Sequence, residues 1–181
     1  MTAILGIGHD LTDIADFADI GKAGLAGAAA SDANSAAAPT AALNGVPHNG
    51  PGASSAQLFS PREWRQARRK AAEKGDDLAR HLAACWAGKE AVVKAWTEAL
   101  GVADFPVSLD AFEWSAVEVL SNAKGCPEVV LSERYRRLVR DSLRIATGRE
   151  VSWKISVTHS AQLASSVVLL CSEEDALYNR L

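Results

Sequence analysis

Residues 78–100, LARHLAACWAGKEAVVKAWTEAL, are the longest stretch of the chain with a sustained helical period. On a helical wheel Leu82, Trp86, Val93, Trp96 and Leu100 share one sector, which predicts a stripe facing the core. Ala83, Ala87, Glu90 and Lys94 share a second face, where small side chains let a neighbouring element approach closely. Glu90 and Lys94 are one turn apart, and a solvated pair at that spacing contributes only about 0.3–0.5 kcal/mol.

Upstream, Leu58-Phe59-Ser60-Pro61-Arg62-Glu63-Trp64 reads as a helix start: Ser60 caps, Pro61 fits the first helical position, and Glu63 completes a capping box. This helix carries Arg62, Arg65, Arg68, Arg69 and Lys70, and Gly75-Asp76-Asp77 ends it and caps the next. Further upstream, Ala3 to Gly8 reads as a strand, continued by the polar His9-Asp10-Leu11-Thr12-Asp13. Between them, residues 21–57 are rich in Ala, Gly, Ser, Asn and Pro, with almost no charge and no aromatic side chain. Such a composition buries too little surface to offset ordering entropy, so a flexible insertion is expected there.

Downstream, the pattern predicts a strand over Ala116 to Leu120, a turn over Ser121 to Pro127 containing Gly125, and a strand over Glu128 to Leu131. Ser132 then opens a helix with Tyr135, Leu138, Val139 and Ser142 on one face and Arg134, Arg137, Arg140 and Arg144 in solvent. Val151, Trp153, Ile155 and Val157 alternate with polar residues, the period of a half-buried strand, and Leu163 to Cys171 supplies its partner across a turn at His159-Ser160-Ala161-Gln162.

With 181 residues, 48% hydrophobic and 23% charged, the chain has the composition of one globular domain, residues 1–181 with the insertion at about 21–57. No window approaches the roughly 18 apolar residues of a membrane span, and the opening lacks a basic secretory start, so a cytoplasmic protein is expected. Cys85, Cys126 and Cys171 form no paired or metal-ligand spacing, which predicts reduced, buried thiols. A formal charge of −3 argues against nonspecific nucleic-acid binding.

Three polar residues stand where the local pattern calls for something else: Asp10 past an apolar strand, Glu90 inside the long helix, and His159 at a hairpin end. Asp10 also fits a helix N-cap, and His159 a turn cap. Together, two carboxylates and a hydrogen-bonding partner suit Mg²⁺ and a phosphate substrate, because a hard cation takes a few carboxylate oxygens and leaves positions for phosphate and water. Gly6-Ile7-Gly8 is no dinucleotide fingerprint, since Leu11 occupies the third glycine position. No phosphate loop, nucleophile elbow, HExxH helix or paired-cysteine motif occurs.

Ile4-Leu5-Gly6-Ile7-Gly8-His9-Asp10-Leu11-Thr12-Asp13-Ile14 resembles the opening motif of the holo-acyl-carrier-protein synthases. Leu58 to Glu63, followed by Arg80 to Trp96 with its Trp86-Ala87-Gly88-Lys89-Glu90 segment, is similar to that family's central helix, particularly in actinobacterial members. Val117 to Leu120 through Gly125-Cys126-Pro127, and Ile155-Ser156-Val157-Thr158-His159-Ser160, extend the resemblance to nearly everything except the insertion.

The resemblance implies an α+β protein of the 4′-phosphopantetheinyl transferase fold, a small antiparallel sheet packed against a long central helix. It implies transfer of the phosphopantetheine arm of coenzyme A to a serine of apo acyl carrier protein, or of a fatty-acid synthase carrier domain, releasing adenosine 3′,5′-bisphosphate. Carried over by position, Asp10 and Glu90 would hold Mg²⁺ and Lys94 would contact phosphate oxygens, these three forming the catalytic set. Gly125, Pro127, Thr158 and His159, with Lys94, would bind coenzyme A, and the active sites would lie between subunits of a homotrimer, His159 facing Asp10 and Glu90 of a neighbour.

The chain departs from the pattern at His9, at Cys85 where related helices carry Arg, and at Cys126 where the turn usually has a basic residue. Arg62, Arg65, Arg68 and Arg69 are candidate docking residues for an acidic carrier, or simply a solvated helix face. The two lost cations motivate an alternative, a coenzyme-A-binding or regulatory oligomer without transfer. A nucleic-acid or acidic-protein binding module is the third reading.

Overall fold

The computed structural model describes residues 2–20 and 58–173, so the insertion expected at about 21–57 lies outside the described residues. Among the described residues the strands and the helices bounded at both ends follow in the order β1 (Ile4–Asp13), α1 (Pro61–Lys74), α2 (Leu78–Leu100), β2 (Val117–Ser121), β3 (Pro127–Leu131), α3 (Glu133–Thr147), β4 (Val151–His159) and β5 (Leu163–Ser172). Short 3-10 turns occupy Ile14–Phe17, Leu109–Ala111 and Trp114–Ala116. β1, β5 and β4 form one antiparallel sheet in that order, and β2 and β3 form a separate hairpin. This is the expected α+β arrangement around a central helix.

The capping chemistry sets the helix boundaries. Ser60 accepts from the Glu63 amide at 3.2 Å while the Glu63 carboxylate accepts from the Ser60 amide at 2.9 Å, and Pro61 opens α1. Gly75, at φ 64°, ends α1 in the left-handed region, and Asp77 caps α2 through the Ala79 amide at 3.0 Å. Ser132 caps α3, as the sequence predicts.

α2 is buried along most of its length, with both of its predicted faces covered. Its C-terminal half, with Val92, Trp96 and Leu100, joins Tyr135, Val139 and Leu143 of α3 and Val168 and Leu170 of β5. Its N-terminal half, with Leu82 and Trp86, packs on Phe17 and Phe59. On the second face, a methyl group at Gly6 or Gly8 would overlap the backbone carbonyl of Ala95 or Ala91. The two glycines therefore lay β1 directly on the helix.

Four expectations need correction. β1 does not end at Gly8 but runs to Asp13, so Asp10 lies inside a strand and caps nothing; Asp13 caps the following turn, accepting from the Ala15 amide at 2.9 Å. The first hairpin strand is shifted by one residue to Val117–Ser121 and the second begins one residue early at Pro127, because the register places Ser121 opposite Pro127. His159 is the last residue of β4, and the turn proper begins at Ser160, whose amide donates to the Leu163 carbonyl at 2.8 Å. Cys85 and Cys171 are buried free thiols, whereas Cys126 is exposed at the hairpin turn. Among the described residues no helix is long and apolar enough to cross a membrane.

Candidate active site

Alternation along β1 points Asp10 and Thr12 inward, toward the face of α2 that carries Glu90 and Lys94. Asp10 is only 7% exposed, and its Oδ1 accepts from Lys94 Nζ at 2.7 Å. Thr12 Oγ1 donates to its Oδ2 at 2.8 Å, and Glu90 hydrogen-bonds it as well. The predicted solvated Glu90–Lys94 pair is thus replaced by a three-residue junction in which Lys94 reaches across to the strand.

Two carboxylates this close cannot both ionise without a neutralising partner. Burial works against ionisation of Asp10, but hydrogen bonds from Lys94, Thr12 and Glu90 outweigh it and hold the group below its ordinary value. Burial, then the charge of Asp10 and the hydrogen bond with it, pushes Glu90 up to about 8. At neutral pH a single proton therefore sits between the two acids. A divalent cation bound by both oxygen donors would take that place.

The donor set fits Mg²⁺. Two carboxylates and a hydroxyl offer hard oxygen ligands and leave most of an octahedron to water and phosphate. Among the described residues no group of three or more His, Cys, Asp or Glu side chains forms a closed metal cage.

The other predicted residues gather elsewhere. A cavity of about 190 Å³ lies between α1, the start of α2, the β2–β3 hairpin and the end of β4. Gly125, Pro127 and His159 line it, together with Lys70, Lys74 and His81. Gly125 takes φ 81° in the hairpin turn, which Asn122 braces by accepting from the amides of Lys124 at 2.9 Å and Cys126 at 3.1 Å. Thr158 is exposed and does not line the cavity, because alternation turns it to the opposite sheet face from His159.

Sequence reasoning missed His81 and Asp76. His81 Nε2 lies 2.6 Å from Asp76 Oδ1, and its ring meets the His159 ring edge-on at 5.9 Å between centroids. Burial, then the positive charge of Arg80 and the neighbouring His81 and Lys74, lowers the His159 pKa. The only signal for this contact was the placement of Asp76 and His81 at a helix start, which by itself says no more than capping.

Within one chain the two groups stay apart. Asp10 pairs with Ser166 and Ser166 with Val157, so β5 separates Asp10 from the strand that carries His159. Two strand spacings amount to about 10 Å.

A family profile described as the 4′-phosphopantetheinyl transferase superfamily matches residues 44–167. The chain belongs to this superfamily. The holo-acyl-carrier-protein synthase of Bifidobacterium animalis subsp. lactis is 42% identical over 127 residues, covering 68% of this chain and 86% of that relative. The synthase of the same name from Bifidobacterium adolescentis is 39% identical over 132 residues, covering 67% and 87%. An apo-ACPS structure from Chronobacterium ammoniagenes superposes with a TM-score of 0.61 at 25% identity, covering 96% of this chain and all of that one (100%). An ACPS–CoA complex from the same organism superposes at 0.62 with 24% identity, covering 96% and 99%, and shares the fold. The transferase fold read from the sequence is the fold observed.

Proposed function

We propose that this phosphopantetheinyl transferase moves the 4′-phosphopantetheine arm of coenzyme A onto a serine of apo acyl carrier protein or of a synthase carrier domain, using Asp10, Glu90 and Lys94. The observation that carries this reading is the Asp10–Glu90–Lys94 junction: two acids sharing one proton beside an ammonium that is 40% exposed. Such a junction suits a diphosphate held by cations from two sides. Mg²⁺ bound there supplies charge neutralisation for the diphosphate oxygens.

Each residue then has a task. Thr12 fixes the Asp10 carboxylate through its second oxygen. Lys94 exchanges part of its hold on Asp10 for a phosphate oxygen and stabilises the charge that grows there. Glu90 keeps its proton in the metal-free chain because burial and Asp10 disfavour its charge, and it would release that proton on taking part in holding a cation. The serine oxygen forms the new bond to the β-phosphorus, and the bridging oxygen departs with adenosine 3′,5′-bisphosphate. The serine proton leaves to water or to a nearby carboxylate.

Gly125, Pro127 and His159 support coenzyme A binding through the cavity they share, and Thr158 flanks it on β4. The separation of that cavity from Asp10 within one chain favours a site completed between subunits. The outer face of the sheet presents Ile7, Leu11, Leu163 and Val167 in the open, an apolar surface suited to packing against another copy, and we read the assembly as a homotrimer. Free thiols at Cys85, Cys126 and Cys171 agree with a cytoplasmic enzyme.

The test is direct transfer. Mixing the protein with Mg²⁺, coenzyme A and apo carrier should add the mass of one phosphopantetheine to the carrier. A folded protein that binds coenzyme A yet modifies none of several carriers would be a binding oligomer instead. Deleting residues within 24–54 should leave transfer nearly intact if that segment is a loop.

A further inference from the structure

Each acid of the Asp10–Glu90 pair meets a buried, uncharged donor. For Asp10 it is Thr12, whose Oγ1 donates to Oδ2 at 2.8 Å. For Glu90 it is the indole N–H of Trp86, which lies one helical turn earlier on α2 and hydrogen-bonds the carboxylate. Helical side chains lean toward the N-terminus, so the Glu90 carboxylate comes back over the Trp86 turn. An indole N–H only donates, and among apolar neighbours it takes the acceptor within reach.

Trp86 is held where it stands. Only 8% exposed, it packs on three rings from outside α2: Trp114 at 4.7 Å between centroids, Phe59 at 6.4 Å and Phe17 at 6.5 Å. Phe17 ends the turn after β1, Phe59 precedes α1, and Trp114 opens the turn before β2. Three separate elements therefore fix the ring, and its N–H is preorganised toward Glu90. Thr12 is fixed in turn by the alternation of β1, which points it at α2. Lys94 differs from both: it is partly exposed, so its hold on Asp10 Oδ1 is the one that can yield to an incoming ion.

The two hard cations that compete for such acids ask different things of a carboxylate. Mg²⁺ is small, demands an octahedron, keeps several waters and uses few carboxylate oxygens, whereas Ca²⁺ takes about six to eight oxygens and gains from a carboxylate that offers both. An acid with one oxygen engaged by a fixed donor has only the other to offer. We propose that Trp86 and Thr12 are specificity-determining residues for the metal, selecting Mg²⁺ over Ca²⁺ by denying the cation a two-oxygen grip on Glu90 or Asp10. This inference rests on the reading above that these two acids hold a divalent cation, and not on which group the enzyme transfers.

Calorimetric titration with Mg²⁺ and with Ca²⁺, on the full chain free and with coenzyme A bound, gives the ratio of the two dissociation constants. Wild type should favour Mg²⁺. Trp86→Phe keeps an aromatic ring in the pocket but lacks the N–H, so the ratio should swing about tenfold toward Ca²⁺. Thr12→Val should move it in the same direction and serves if the Phe variant does not fold. Loosened packing alone would weaken both ions alike and leave the ratio where it was. A wild-type ratio in either folded variant, or a wild type without preference for Mg²⁺, would overturn the proposal. If wild type shows the Trp86-dependent preference yet modifies no carrier, the transfer reading falls and this one stands; transfer with a ratio indifferent to both variants would do the reverse.

Discussion

Neighbouring residues on α2, Lys89 and Glu90, belong to two acid–lysine clusters with opposite characters. Lys89 and its partner Glu63 are both fully buried, 2.8 Å apart, and Lys89 also donates to the carbonyls of Trp114 and Val117. Glu63 in turn accepts from the amides of Ser60 and Val119 at 2.9 Å each. Every proton of that ammonium is used. One residue further on, Glu90 faces a second acid rather than a base, and the lysine that serves the cluster, Lys94, is 40% exposed. A closed, satisfied ion pair fastens α1, α2 and β2 together, whereas an under-neutralised pair of acids waits for a cation.

The largest effect should come from opening the closed cluster. Lys89→Met leaves the Glu63 carboxylate buried without its counter-charge, and breaking a buried pair from one side costs about 3–5 kcal/mol. Chemical denaturation should show that loss, and the variant should be poorly folded in any assay. Retention of wild-type stability would mean that the Glu63–Lys89 pair does not anchor the fold.

Opening the other cluster should do the reverse. Asp10→Asn removes the metal ligand but keeps size and hydrogen bonding, so transfer should fall at least about 100-fold while the melting temperature stays within a few degrees of wild type. Comparable losses of stability in Asp10→Asn and Lys89→Met would erase the distinction between the two clusters. A smaller loss is expected from Thr12→Val, which frees one carboxylate oxygen of Asp10. A hydrogen bond to a charged group contributes about 1.5–3 kcal/mol, so transfer should drop about tenfold and excess Mg²⁺ should partly restore it.

The same contrast explains what could be read without coordinates. Asp10, Glu90 and His159 stand out in the sequence because each breaks a local pattern, Lys94 follows from its one-turn spacing to Glu90 and from the family resemblance, and the helix caps follow from short-range chemistry at Ser60, Asp77 and Ser132. The end of β1 was misplaced because the strand inverts the usual code beyond Gly8: Asp10 and Thr12 turn inward to the polar stretch of α2, while Leu11 turns outward. Glu63 was recognised as a capping-box residue, but its second role depends on Lys89, 26 residues away on another helix, and no local period encodes that pairing. The cavity was legible only in part for the same reason. Gly125, Pro127 and His159 lie on separate elements that meet Lys70 and His81 through tertiary packing alone.

The smallest effect, and the one that tests the open cluster most directly, is its dependence on pH without metal. Glu90 titrates near 8 in the folded chain against an ordinary value of 4.5, so the folded state holds a proton that the unfolded state has already released across that window. Stability of the metal-free protein should therefore be fully present below about pH 4.5 as far as Glu90 is concerned, and should decline as the pH rises through 8. Asp10, held below its ordinary value, acts with the opposite sign: its contribution is present above the normal carboxylate range and is lost in stronger acid. Glu90→Gln mimics the protonated form, so its melting temperature should exceed that of wild type by a few degrees at pH 8.5 and match it near pH 5. Mg²⁺ binding to wild type should weaken about tenfold for each pH unit below 8, because one proton must leave for each cation bound. A flat stability profile for the metal-free protein, identical in wild type and Glu90→Gln, would mean that the two acids do not share a proton and that the junction is not poised for a cation.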